Sequence, residues 1–209
     1  MNIFKYFKRK KAPIKYLSDT KYNEKPFSII SNNCWGAEIY KDLDKPFNTP
    51  FIGLYFYAPD YIKLLENFNY YLDLPLKFSK KSKWRENVHY PIGLLGDIEV
   101  HFMHYQSEEE ALDKWNRRTQ RLLSENSDNF FFKIDDRDGC TEEIIHKFHQ
   151  LPYKNKISFS IHEFDNENHI KIYESENGKT VQDGILLYNI TNKYVDLIHW
   201  LNDNEIKKV

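Results

Sequence analysis

The chain has 209 residues, 41% hydrophobic and 16% aromatic, which is enough for one sizeable core and predicts one domain with a terminal extension rather than two domains. Lys+Arg 30 against Asp+Glu 31 leaves a formal charge of −1, so there is no general electrostatic drive toward nucleic acid. Two cysteines, Cys34 and Cys140, stand far apart and outside any CxxC spacing; this argues against a disulfide framework and a cysteine zinc site, and it fits a reducing cytoplasm.

Residues 1–24 read as a basic extension. Lys5, Lys8, Arg9, Lys10, Lys11 and Lys15 precede the first acidic residue, Asp19, and are interleaved with Ile3, Phe4, Tyr6 and Phe7. Such an arm suits peripheral contact with the anionic inner face of a membrane, and it equally suits a solvated terminus. No apolar run approaches the roughly 18 residues needed to span a bilayer, and no stretch of signal-peptide type is expected.

Residues 25–209 read as a single α/β domain. The stretch 27–40 is a short apolar strand that breaks at Ser31, Asn32 and Asn33, and Cys34-Trp35-Gly36 opens a helix. A second unit pairs a strand at 50–57 with a helix carrying Tyr61, Leu64, Leu65, Phe68 and Leu72. A short strand at 76–78 and a charged loop at 80–87, containing Trp84, lead to a strand at 98–105. Ser107, with Glu110 three residues on, then caps a helix lined by Ala111, Leu112, Trp115 and Leu122. Residues 130–134 form an apolar strand, 135–139 a polar turn, and Thr141 caps a helix with Ile144, Ile145 and Phe148 on one face. A strand at 157–161 follows. Near the end, strands at 169–173 and 185–190 form a hairpin and 194–201 a closing helix. The expected fold is a three-layer α/β sandwich whose mixed, partly parallel sheet carries helices on both faces.

Four of these stretches, SNNCWGAEIY, TPFIGLYF, YPIGLLGDIEVHFMHY and ALDKWNRRTQR, together resemble an uncharacterised bacterial family labelled as exopolysaccharide, or capsular polysaccharide, biosynthesis proteins. The resemblance spans about residues 27–163. It implies a pathway and defines no reaction.

In parallel sheets ligands bind at the carboxyl ends of strands, where helix-start N–H groups attract anions. The predicted strand ends gather Asn32, Asn33 and Cys34; Tyr57 and Asp60; His104, Tyr105 and Gln106; Asp135 to Asp138; and His162 and Glu163. Asp136-Arg137-Asp138 looks like the Asp-x-Asp element of many glycosyltransferases, in which carboxylates hold Mg²⁺ or Mn²⁺ against a sugar nucleotide's diphosphate; a solvated turn is the plain alternative. Lys114, Arg118 and Arg121 recur at helical spacing beside Arg117, a stripe able to meet phosphate or to pair with its own acidic neighbours. WNRR matches a motif of the family. Asn32, Asn33 and Trp35 shape the expected pocket floor.

His101 and His104 point to opposite faces of the predicted strand, which leaves His104, nearer its end, for acid–base work. Cys34, at a helix start, is the candidate nucleophile, against a buried inert cysteine. Gly178-Lys179-Thr180 ends like a P-loop, but Tyr173 stands where the first glycine belongs. The leading expectation is a cytoplasmic transferase acting on a sugar nucleotide or other phosphorylated glycan precursor, with Asp136 in catalysis. The alternatives are a non-catalytic accessory protein of the same machinery and a Cys-dependent acyltransferase or hydrolase.

Overall fold

The sequence FFFKID at 130–135 alternates two large apolar sets about one backbone, which demands cover on both sides. The computed structural model describes residues 22–209; the basic arm, up to residue 21, lies outside the described residues. Along the chain come β1 (Ser28–Ser31), α1 (Trp35–Asp42), α2 (Ala58–Glu66), α3 (Phe68–Asp73), β2 (Lys77–Ser79), β3 (Ile92–Leu95), β4 (Ile98–His101) and α4 (Glu108–Ser124). They are followed by β5 (Phe130–Asp135), α5 (Glu142–Gln150), β6 (Asn155–Ser160), β7 (His169–Lys171), β8 (Ser175–Glu176), β9 (Thr180–Val181), α6 (Gly184–Thr191) and α7 (Leu197–Asp203).

The central sheet is wholly parallel, in the order β1-β5-β6-β7. Phe130, Phe132 and Ile134 join one core, with Phe51, Tyr61, Phe68, Trp115 and Phe148. Phe131 joins the other, with Trp35, Phe159, Leu187 and Trp200. Helices α2 to α5 therefore cover one face and α1, α6 and α7 the other, and each fully buried large side chain contributes about 1.5–3 kcal/mol. The expected three-layer sandwich with helices on both faces is the observed architecture.

The parallel and antiparallel strands, expected in one mixed sheet, occupy separate sheets. Strands β2, β3 and β4 form an antiparallel sheet of their own. Gly96, at φ +60, and Asp97 make the two-residue turn that joins β3 to β4, a hairpin signal that was readable in PIGLLGDIEV. Residues 50–57 are a buried connection with a single bridge, Tyr55 to His101, because Gly53 adopts φ +72 and breaks the extended run.

The expected strand at 185–190 is helix α6. Asp183 Oδ1 accepts from the backbone N–H of Ile185 and Leu186, and the buried positions Gly184, Leu187, Tyr188 and Thr191 follow the helical period. Without its partner, β7 pairs parallel to β6 instead of forming a hairpin.

Candidate functional site at the carboxyl end of the parallel sheet

Period-two alternation turns Lys133 and Asp135 inward on the α1 face, where both are fully buried. Such charges persist only when paired and hydrogen-bonded. The Lys133 ammonium contacts the Asp135 carboxylate and donates to Asn32 Oδ1 and Asn33 Oδ1, each at 3.1 Å. The two amides return donors to the carboxylate: Asn32 Nδ2 to Oδ1 at 3.0 Å and Asn33 Nδ2 to Oδ2 at 2.6 Å.

Burial alone would raise the Asp135 pKa, but Lys133 and the two amides reverse this and hold it below the usual carboxylate range. Burial also pulls Lys133 below the ordinary lysine range, against the attraction of Asp135; with the carboxylate in contact, the ion pair is the state we assign. Trp35 lies beneath, its ring 5.7 Å from the ammonium and its indole N–H donating to Thr191. Asn33 Oδ1 also accepts from the Trp35 backbone N–H at 3.2 Å, so Asn33 serves both the ion pair and the start of α1, and Asn32 serves the ion pair. Gly184 is required opposite, because a Cβ there would stand 2.5 Å from Asn33 Oδ1 and 2.8 Å from the Trp35 nitrogen.

The turn after β5 divides the acidic residues by role. The Asp136 carboxylate accepts from Ser160 Oγ (2.9 Å), Ile161 N–H (2.8 Å) and Val181 N–H (2.8 Å), which ties β5 to β6 and β9. Asp138 adopts a left-handed backbone, φ +52, and is followed by Gly139 at φ +78, the kind of strained position that functional sites hold. Its carboxyl is pushed up to about 6, chiefly by burial and next by repulsion from Asp135, against Arg137, Lys133 and Arg85. Tyr57 stands beside this turn: the Ala58 N–H donates to the Asp138 carbonyl, and the Tyr57 ring lies 3.8 Å from a Cβ placed on Gly139.

The far wall comes from the antiparallel sheet. His101, fully buried, stacks on Tyr55 with ring centroids 4.5 Å apart. Its Nδ1 lies 3.2 Å from the Tyr90 hydroxyl, which is 2.7 Å from the Tyr55 hydroxyl. Its Nε2 lies 2.8 Å from Glu99 Oε1, off the line of a good N–H hydrogen bond. Burial, foremost, holds His101 down at about 4, so it is neutral at physiological pH. Beyond Asp136, on the α5 side, a cleft of about 480 Å³ is lined by Asp136, Thr141, Ser160, His162, Glu163 and Phe164.

The residues expected at the rim thus separate. Asn32, Asn33 and Asp135 converge through hydrogen bonds and Asp138 lies at the same strand end beside Tyr57, while the Asp136 carboxylate is committed to β6 and β9. His104 does not share this edge, because β4 belongs to the antiparallel sheet and ends at His101; His104 is exposed, its backbone N–H on the Gly53 carbonyl. Cys34 is buried, with Sγ 3.8 Å from the Leu54 carbonyl, and burial raises its thiol pKa to about 12 instead of the lowering a helix start can give.

The α4 arginines do not form a stripe. Arg118 is buried, donates to the Tyr105 hydroxyl at 2.8 Å and lies over Phe47; Arg121 reaches the Phe47 carbonyl; Arg117 pairs with Asp113 on the exposed face. The Asp136 oxygens already take three donors of about four lone-pair places. Among the described residues no three His, Cys, Asp or Glu side chains converge as metal ligands would. Sequence reasoning passed over Lys133, although a lysine inside FFFKID signals a paired, buried charge. It also passed over Glu99, Tyr90 and Arg85, which only the tertiary fold brings to the wall.

Residues 5–202 match the model of a family described as Domain of unknown function (DUF1919). The chain belongs to this family. An uncharacterized protein of Haemophilus influenzae is 42% identical over 174 residues, which cover 81% of this chain and 80% of that one. The family match includes both strands that carry the Lys133 and Asp138 cluster, β1 and β5, and all of the loop bearing Arg85. No helix among the described residues is long and apolar enough to cross a membrane.

Proposed function

We propose that the protein is a transferase of exopolysaccharide or capsule assembly, acting in the cytoplasm on a sugar nucleotide or another phosphorylated sugar donor. The site is the rim between the turn at 135–139, Tyr57 and the wall that carries Arg85. The observation that carries the reading is Asp138, a carboxyl on a left-handed residue at a strand end, with its pKa raised to about 6. A carboxyl of that pKa is mostly ionised at pH 7 yet basic enough to accept a proton, which is the profile of a general base. In the transfer, Asp138 takes the proton from an acceptor hydroxyl, the acceptor oxygen bonds to the anomeric carbon, and the bond from that carbon to the phosphate oxygen breaks. The nucleoside diphosphate leaves with the bonding pair. The sequence resemblance supplies the pathway, and the parallel-sheet edge supplies the customary place for such a ligand.

The test is release of nucleoside diphosphate from a panel of sugar nucleotides, followed against pH. Turnover is expected to rise through pH 6 and to fall at least a hundredfold in Asp138→Asn, while donor binding by that variant persists. Donor binding without turnover in the wild-type protein would favour the accessory-protein reading. Equal turnover in Asp138→Asn would remove the base.

A further inference from the structure

Residues 82–85 belong to a charged surface loop, yet two buried carboxylates hold it. Asp60, 4% exposed, accepts from Lys83 Nζ (2.7 Å), Trp84 Nε1 (2.8 Å) and the Glu99 N–H (2.9 Å). Glu99, 2% exposed, accepts from the Lys83 N–H at 2.9 Å and from the Ser82 hydroxyl. Ser82 Oγ in turn accepts from the N–H groups of Trp84 and Arg85 at 3.0 and 3.2 Å. The Trp84 ring stacks on Tyr57 at 4.9 Å and 11°. Desolvating two carboxylates and ordering a loop backbone are both unfavourable by themselves, so the hydrogen bonds they make must offset that cost.

What this clamp delivers to the surface is Arg85. The ammonium of Lys83 is turned back onto Asp60 and the Asp97 carbonyl, and the indole of Trp84 is packed. Arg85 remains exposed on its fixed backbone, and among the described residues the partner of its guanidinium is the Tyr55 hydroxyl, at a long 3.4 Å. Its chain neighbour Trp84 stacks on Tyr57, and the Ala58 N–H next to Tyr57 donates to the Asp138 carbonyl at 2.9 Å, which brings this loop to the edge that carries Asp138.

We propose that Arg85 is the phosphate-recognising group of this site, a guanidinium carried on a loop backbone that Asp60 and Glu99 hold in place, to meet the diphosphate of the donor beside Asp138. The inference deepens the transferase reading and rests on it for the donor. The recognition itself follows from the fork of N–H donors, which matches phosphoryl oxygens two at a time. It also takes the place of the α4 arginines, which are committed elsewhere.

The experiment is calorimetric titration of the full chain with inorganic pyrophosphate in metal-free buffer, in parallel with thermal melting. Arg85→Gln is expected to weaken binding at least tenfold with an unchanged melting temperature. Arg85→Lys should recover part of the affinity, through charge without the fork. Arg117→Gln, on the exposed face of α4, should bind as wild type does. Wild-type protein that takes no pyrophosphate, or equal affinity in Arg85→Gln, would overturn the proposal. The wild-type protein separates this proposal from the transferase reading: Arg85-dependent pyrophosphate binding in a protein that transfers no sugar would sink the reaction and leave the phosphate site standing.

Discussion

Replacing Asp135 by Asn tests the central claim that Lys133 and Asp135 form one buried unit. The substitution keeps the volume and removes the countercharge, leaving the Lys133 ammonium with the Asn32 and Asn33 carbonyl oxygens at 3.1 Å. Breaking a buried pair typically costs 3–5 kcal/mol. The two remaining acceptors place this case near the lower end, at about 3 kcal/mol, which for a chain of this size is a fall of about 6–12 °C in Tm. Lys133→Met strands the carboxylate less severely, since Asn32, Asn33 and the Arg137 N–H still donate to it. The double variant Lys133→Met with Asp135→Asn carries neither charge, so its loss should fall short of the summed single losses by more than about 1 kcal/mol. Urea unfolding of the four proteins, analysed by linear extrapolation, gives the cycle. A loss under about 1 kcal/mol in Asp135→Asn, or additivity within about 0.5 kcal/mol, would refute the reasoning.

Two further outcomes follow from the buried titratable groups. Cys34, with its thiol raised to about 12, should resist alkylation at pH 8 until the protein is unfolded, and Cys34→Ser should keep donor turnover; rapid labelling in the native state, read by intact mass, would restore the covalent mechanism. His149 donates its Nε2–H to Ser158, whose hydroxyl donates to His169 Nδ1 because His169 Nε2–H is held by the His162 carbonyl. His149 is lowered to about 4, first by burial and then by Lys156. The unfolded chain therefore binds the extra proton between about pH 6.5 and 4. The stabilisation is complete above pH 6.5 and is lost as pH falls toward 4, on the order of 1 kcal/mol after solvent screening. His149→Gln should flatten that part of the melting profile, and an identical pH dependence in the variant would count against it.

The sequence by itself determined the layers and the elbow. Alternation in FFFKID, the apolar run before Ser31-Asn32-Asn33, and the capped helical stripe of Ile144, Ile145 and Phe148 are local patterns, and each formed where its period required. The acidic turn formed too, one residue later than expected, because Asp135 pairs with Phe159 as the last residue of β5. Tertiary structure decided which strands became neighbours, and with that which polar groups meet. Strand β4 looked like a parallel neighbour and turned out to belong to a separate hairpin sheet, so His104 left the rim and His101 gained Glu99 and Tyr90. Helix α6 looked like a strand because a short apolar run suits both, and Asp183 with the close approach of Gly184 to Asn33 settled it. Neither the pairing of Lys133 with two asparagines about a hundred residues away in sequence nor the clamp on Arg85 has a local signature. Buried charges choose their partners by proximity in the fold, which composition and spacing along the chain do not encode.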